Sequence, residues 1–398
     1  MQPLLLSHLS IVTSLGAGQR ATLAALQSGC SGLGPCVFDG EAPPTHVGMV
    51  AALEEAPIDG DLAAYDCRNN RLAAMALAED GFAEAVAAAS QRYGPARIGV
   101  FLGTSTAGLS HTEGAYRRRD PGTGALPSDY VYRTTHNTYS IGEFVRRSLR
   151  LDGPAMVASS ACATTAKTFA NAARMIAAGF CDAAVVGGAD TLCATTLYGF
   201  GALGVLSSEP CRPFDAERSG ISIGEAGAFA LLEKPEAACP GDDPILLLGA
   251  GESSDAYHMS SPHPEGVGAR QAMERALASA GLVARDIDHV NLHGTATQVG
   301  DAAEDRAVFD LFGTAVPCSS TKGYTGHTLG AAGIVEAVIA CLCIRHALLP
   351  GSPHTRSVDP SFRSQYVART RAQRIDRVIS NSFGFGGANC SLILGRPQ

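Results

Sequence analysis

Tryptophan is absent from this chain, and aromatic residues make up only 6% of it, so 14 Phe and 10 Tyr must supply every core ring. Charge is also scarce, at 17% against 46% hydrophobic residues, which excludes a disordered chain. Basic residues are not in excess. The 30 Lys and Arg face 38 Asp and Glu for a net charge of −8, which argues against a nucleic-acid-binding surface spread over the protein. The 12 cysteines include no Cys-x-x-Cys, which removes zinc-ribbon and thioredoxin-type sites. Long apolar runs are missing too. Residues 331–344 are interrupted by Glu336 and fall short of the roughly 20 residues that cross a bilayer. The apolar start, residues 1–6, has no cationic lead, so a secretory signal is not expected. With Cys181, Cys193, Cys341 and Cys343 in apolar stretches, reduced buried thiols and a cytoplasmic location are expected, without membrane insertion.

Glycine is abundant, with 45 in 398 residues, a length that suits two domains or one duplicated domain. Residues 98–102 read as a buried strand ending at Gly103, and residues 183–186 as another ending at Gly187-Gly188. Between them, residues 163–178 have an Ala-rich helical pattern with Phe169, Ala173 and Ile176 on one stripe and Gly179 as its stop. Such alternation predicts an α/β fold with covered sheets. The turn-rich segment 236–244 separates strands at 228–232 and 245–248 and marks the expected boundary, giving halves 1–238 and 239–398. A strand at 290–292 and a helix at 302–312 repeat the order in the second half, which suggests duplication.

The strongest chemical signal is Ser159-Ser160-Ala161-Cys162-Ala163-Thr164-Thr165, where strand 154–158 runs into the Ala-rich helix. A thiol at a helix N-terminus faces unpaired N–H groups and the positive end of the dipole, so its pKa is expected below about 8.5. The same N–H groups could hold an oxyanion. Two histidine loops follow. Asn291-Leu292-His293-Gly294-Thr295-Ala296-Thr297 has Gly300, Asp301 and Glu304 close behind, and Lys322-Gly323-Tyr324-Thr325-Gly326-His327 opens a helix carrying Glu336. A thiol, two imidazoles and a cation could converge on one carbonyl. Asn381-Ser382-Phe383-Gly384-Phe385-Gly386-Gly387-Ala388-Asn389 lets a glycine-flanked Phe385 pivot while its N–H approaches a ligand. Gly220-Ile221-Ser222-Ile223-Gly224 spells the hydrolase elbow but precedes a strand-like stretch, not a helix. His289 and His293, four apart on a strand, do not suit a shared metal ion.

Together these segments resemble the β-ketoacyl-acyl carrier protein synthases, condensing enzymes of the thiolase superfamily. The matches are Gly103-Thr104, Ser160-Ala161-Cys162-Ala163-Thr164, Cys211-Arg212-Pro213-Phe214-Asp215 through Gly224-Glu225, both histidine motifs, and the glycine loop. The resemblance implies a thiolase-like, duplicated αβαβα fold with two mixed five-stranded sheets around a shared helix layer. It implies decarboxylative Claisen condensation of an acyl thioester on Cys162 with a malonyl carrier, extending a fatty acid, polyene or polyketide by two carbons. In that scheme Cys162 is the nucleophile. His293 and His327 bind the malonyl thioester and stabilise its enolate, and Lys322 orders this pair through Glu336. Thr295 and Thr297 hold the phosphopantetheine arm, and the N–H groups of Cys162 and Phe385 form the oxyanion hole. No metal or other cofactor is implied, since phosphopantetheine belongs to the acyl carrier protein.

Arg68-Asn69-Asn70-Arg71, residues 187–193 and residues 218–224 look closer to synthases of bacterial aryl-polyene and related type II pathways. A dimer across the edge strand at 153–159 is implied, either with a second copy or with a chain-length factor. Docking of the acidic carrier is expected on Arg68 and Arg71, or on Arg117, Arg118, Arg119, Arg133, Arg146 and Arg147. A non-catalytic chain-length-factor-like subunit would lack the nucleophile and usually one His. A coenzyme A-dependent thiolase would carry one His and a second catalytic Cys.

Overall fold

The computed structural model describes residues 1–38, 43–237 and 243–397. The expected boundary between 238 and 239 lies outside them.

Ile98–Gly103 is buried along its whole length, and so is Ala183–Asp190. Both are continuous apolar runs because helices cover both faces of their sheet. Ile98–Gly103 pairs in parallel with Ala155–Ala158 on one side and Ala183–Asp190 on the other. Ala226–Glu233 then joins antiparallel, and Leu4–Thr13 follows antiparallel on its far side. The second half repeats this arrangement strand for strand. His289–Asn291 pairs in parallel with Pro317–Ser319 and with Arg377–Phe383. Ala388–Gly395 and Leu246–Ser254 continue the sheet antiparallel. Numbered within each half, the spatial order is 3-2-4-5-1 both times.

The expected pair of five-stranded sheets needs a correction. Leu4 and Leu5 pair with Leu247 and Leu246, so the two sets run together into one twelve-stranded sheet. Gln365–Tyr366 adds an edge strand beyond the five of the second half, and Gly16–Ala17 pairs back on Leu4–Thr13. The α/β class and the layering match the expectation.

In each half the helix after strand 3 enters the central layer. The first is Thr164–Ala177, close to the expected 163–178, burying Thr165, Phe169, Ala172 and Ile176. Its counterpart is Ala332–His346, buried from Ala332 through Ile344. A helix apolar all round is stable only inside a core or a bilayer. With the preceding 3-10 turn it forms an 18-residue apolar span, Leu329–His346, long enough by length and composition to cross a membrane, with 89% of it buried inside the fold. The two helices start in contact. An added Cβ on Gly333 would stand 2.5 Å from the backbone N of Ala166, so only glycine permits this approach.

Candidate active site

The chain leaves strand Ala155–Ala158 and turns sharply at Ala161, whose φ of +46° is unusual for a residue with a side chain. Ser160 N–H donates to Thr164 Oγ1 at 2.7 Å, and Thr164 Oγ1 donates to Ala161 O at 2.5 Å, which ties the turn to the first residue of the helix. Cys162 is thereby held at the elbow, 8% exposed. In the second half the same topological position, strand 3 to central helix, carries His327. Its N–H donates to Ser222 O at 2.7 Å, and its carbonyl accepts from Gly224 N at 2.9 Å, so the ring is fixed through its backbone. The segment that mimics a hydrolase elbow is therefore a short strand supporting His327.

His327 Nε2 lies 3.0 Å from Cys162 Sγ. His293, at the exit of strand His289–Asn291, places its ring 5.3 Å from that of His327, nearly perpendicular at 84°. Behind them Glu304 accepts the N–H groups of His293 at 2.8 Å and Gly294 at 2.7 Å, and Asn381 Nδ2 donates to it at 3.2 Å. Asp301 accepts the next two, from Thr295 at 3.0 Å and Ala296 at 3.1 Å. The histidine loop thus has its successive amides pinned by two buried carboxylates from helix Gln298–Phe312. Lys322 and Glu336 form a buried ion pair, and Asn291 Nδ2 donates to Glu336 at 3.4 Å. His289 takes no part, since its Nε2 is engaged with Ser319 Oγ at 3.0 Å.

A cavity of about 240 Å³ opens onto this cluster. Cys162, His293, His327, Thr295, Thr297 and Phe385 all line it. Lys322 and Glu336 lie beneath the lining. Thr295 and Thr297 join hydroxyls at 3.1 Å. Phe385 packs against Phe200, with ring centres 5.8 Å apart and the planes tilted by 55°. The glycine loop approaches Cys162 closely, for a Cβ on Gly384 would stand 3.1 Å from Cys162 N.

Burial decides the protonation states. It pushes the Cys162 thiol up to about 11, against the opposing pull of the Lys322 ammonium and the backbone N–H groups of Phe385 and Cys162 itself. This corrects the expected lowering: the helix terminus acts in the anticipated direction but desolvation outweighs it. Burial and the Lys322 cation also hold His293 and His327 well below the ordinary imidazole value, so both rings are neutral. Nδ1 of each ring is buried without a partner among the described residues. No protein acceptor therefore fixes the tautomer, and Nε2 of His327 can give or take the proton shared with sulfur.

Two residues matter to which the sequence motifs assigned no role of their own. Asp190 is fully buried and accepts Thr104 Oγ1 (2.8 Å), Ser105 N (2.8 Å), Thr106 N (2.7 Å), Thr106 Oγ1 (2.6 Å) and Ala331 N (3.1 Å). It joins the first half to the start of the His327 helix. Glu225 is the seat of Arg68, with two hydrogen bonds of 2.8 Å. That seat removes Arg68 from the docking candidates, since it is 8% exposed and also paired with Glu54. Arg71 is engaged with Asp66 at 2.6 Å and Glu54 at 3.0 Å. Among the other candidates Arg118 pairs with Asp129 and Arg147 with Glu143, while Arg133 reaches Glu143 only at 3.9 Å and stays 79% exposed.

Residues 69–238 match the family model described as the β-ketoacyl synthase N-terminal domain, and residues 246–356 match the one for its C-terminal domain. A 3-oxoacyl-[acyl-carrier-protein] synthase 2 of Rhizobium meliloti is 36% identical over 81% of this chain and 80% of its own length. That of Coxiella burnetii is 33% identical over 98% of both. The mitochondrial 3-oxoacyl-[acyl-carrier-protein] synthase of Arabidopsis thaliana is 41% identical over 61% of this chain, and the match spans 56% of that relative. Among solved structures, a ketosynthase (ApeO) in complex with its chain length factor (ApeC) from Xenorhabdus doucetiae superposes with a TM-score of 0.88. It is 37% identical and covers all of this chain and 98% of its own. The ishigamide ketosynthase/chain length factor is 27% identical with a TM-score of 0.89 over the full length of both chains.

Proposed function

Because the chain belongs to the β-ketoacyl synthase family and is a condensing β-ketoacyl-ACP synthase, we propose that its reaction runs on Cys162, His293 and His327 in a type II polyene or polyketide pathway. The observation that carries this is the 3.0 Å contact between His327 Nε2 and Cys162 Sγ, with the His293 ring beside it in one cavity.

In the loading step Cys162 sulfur attacks the carbonyl of an acyl carrier thioester. The oxyanion forms against the N–H groups of Cys162 and Phe385, and the pantetheine thiolate leaves with the proton that Cys162 gave up through His327. In the condensing step a malonyl thioester loses CO2. Neutral imidazole N–H groups of His293 and His327 hold the enolate oxygen, and the carbanion attacks the acyl-Cys162 thioester, which expels the Cys162 thiolate as the carbon–carbon bond forms. Lys322, paired with Glu336, keeps both rings neutral and so able to donate without full proton transfer. Thr295 and Thr297 hold the pantetheine arm, and Phe385 gates the cavity. The reading requires no resident cofactor.

The halves meet at 238/239 in this reading, supported by the repeated strand order. The outer edge of Ala155–Ala158, where Met156 is 38% exposed, is the proposed seat of a partner, a second copy or a chain length factor. The acyl carrier protein delivers both substrates, in the cytoplasm. A non-catalytic role is disfavoured by the retained Cys162, His293 and His327, and a thiolase role by the second histidine.

Incubation with an acyl carrier thioester, proteolysis and mass spectrometry test the scheme. An acyl adduct on Cys162 followed by CO2 release from malonyl carrier is the expected result. An adduct without CO2 release points to a thiolase, and no adduct at all ends the proposal.

A further inference from the structure

The reactive cluster also fits a second chemical description. Cys162 Sγ and one nitrogen each from His293 and His327 all lie within 4.8 Å of one another, and all three residues are buried. One sulfur and two imidazole nitrogens are the donor set that zinc and similar borderline-soft divalent ions favour. Bonds of about 2.0–2.3 Å in tetrahedral geometry set the donors about 3.3–3.7 Å apart. The Cys162–His327 separation of 3.0 Å is a little shorter than that range, and no side of the triangle exceeds 4.8 Å. Closing the site therefore takes side-chain shifts of about 1 Å.

The donors sit on an elbow, a strand exit and a helix start, so their spacing is set by backbone hydrogen bonds. The cavity leaves a fourth coordination position open to water. The Lys322–Glu336 pair beneath adds no net charge, and the Glu304 carboxylate stands behind the His293 amide.

We propose that Cys162, His293 and His327 bind Zn2+ reversibly as a one-sulfur, two-nitrogen site, and that the bound ion blocks acyl loading. Binding exchanges the S–H proton for the metal and releases that proton to solvent. No oxidation state changes. Coordination occupies the sulfur lone pair that would attack the thioester, so metal and acyl chain exclude each other. Metal binding concerns the resting chain alone, whereas the block of acyl loading rests on the condensing scheme.

Cobalt(II) is the probe. Titration of the full-length chain should give a thiolate-to-cobalt charge-transfer band in the near ultraviolet with visible bands of four-coordinate cobalt, saturating at one ion per chain and displaced by Zn2+. Cys162→Ala should abolish the charge-transfer band, His293→Ala should weaken binding more than about tenfold, and prior alkylation of Cys162 in the unsubstituted chain should do what Cys162→Ala does. Cys30→Ser with Cys36→Ser, which removes an exposed and a half-buried thiol, should leave the band intact. A band that survives Cys162→Ala and alkylation but disappears with Cys30 and Cys36 overturns the proposal, as does the absence of any saturable band at millimolar cobalt. These bands require no turnover, so failure here leaves the condensing scheme standing.

Discussion

His327 Nε2 stands 3.0 Å from Cys162 Sγ although 165 residues separate them in the chain. The contact follows from two helices that begin side by side. Thr165 Oγ1 donates to Gly330 O at 2.6 Å and accepts from Ile334 N at 3.0 Å, which locks the two helix starts together.

Burial sets the thiol near 11, so a thiolate forms only at high pH. Alkylation of Cys162 by iodoacetamide in the free enzyme is expected to rise about tenfold per pH unit through pH 9 and to show no plateau below about pH 10. A plateau under pH 8 would mean that the helix terminus and Lys322 outweigh desolvation.

Lys322→Met leaves Glu336 buried without its counter-ion, which is expected to cost about 3–5 kcal/mol in chemical denaturation. Adding Glu336→Leu should restore most of that. Because the Lys322 cation depresses both imidazoles, its loss raises their pKa values. The acid limb of the condensation rate should then move to higher pH in the double variant. An unmoved limb would reduce Lys322 to a structural part.

Gly333→Ala puts a methyl against the Ala166 backbone, which should destabilise the fold by about 1–3 kcal/mol. Spreading the helix starts by a fraction of an ångström should also slow acyl transfer to Cys162, by up to about 100-fold. Full acylation rates in a stable Gly333→Ala protein would refute the coupling.

Glu304 is pushed up to about 7 by burial, so the folded state holds its proton through a range in which the unfolded chain has lost it. Stability from this group is therefore greatest at low pH and declines as pH rises from about 4.5 to 7. Glu304→Gln should remove that decline, on the order of 3 kcal/mol between pH 4.5 and 7.5, when melts of the two proteins are compared. Parallel pH profiles would contradict it.

Arg68→Glu would set a carboxylate against buried Glu225 and exposed Glu54. Combined with Arg71→Glu it is expected to lower the melting temperature and to impair small thioesters and carrier-bound ones alike. A selective rise in KM for the carrier would reinstate these arginines as a docking site.

The residues gathered in the cavity, Cys162, His293, His327, Thr295, Thr297 and Phe385, were legible because each sits in a short local motif, and their meeting needs only the α/β frame. What escaped the sequence depends on distant partners. Arg68 reads as a surface cation until Glu225, 157 residues away, is placed beside it. The direction of the Cys162 shift is set by burial against elements from both halves, which no helix-terminus argument contains. The continuous sheet rests on Leu4 and Leu5 meeting Leu247 and Leu246, a pairing with no local signature.

The repeated 3-2-4-5-1 wiring gave this protein two equivalent seats, one at the head of each central helix. One came to hold sulfur and the other a nitrogen base. The seat in each half holds a different group from that in the other, so the repeated wiring supplies no backup. On the proposed scheme, loss of Cys162 from one half or of His327 from the other disarms the whole molecule.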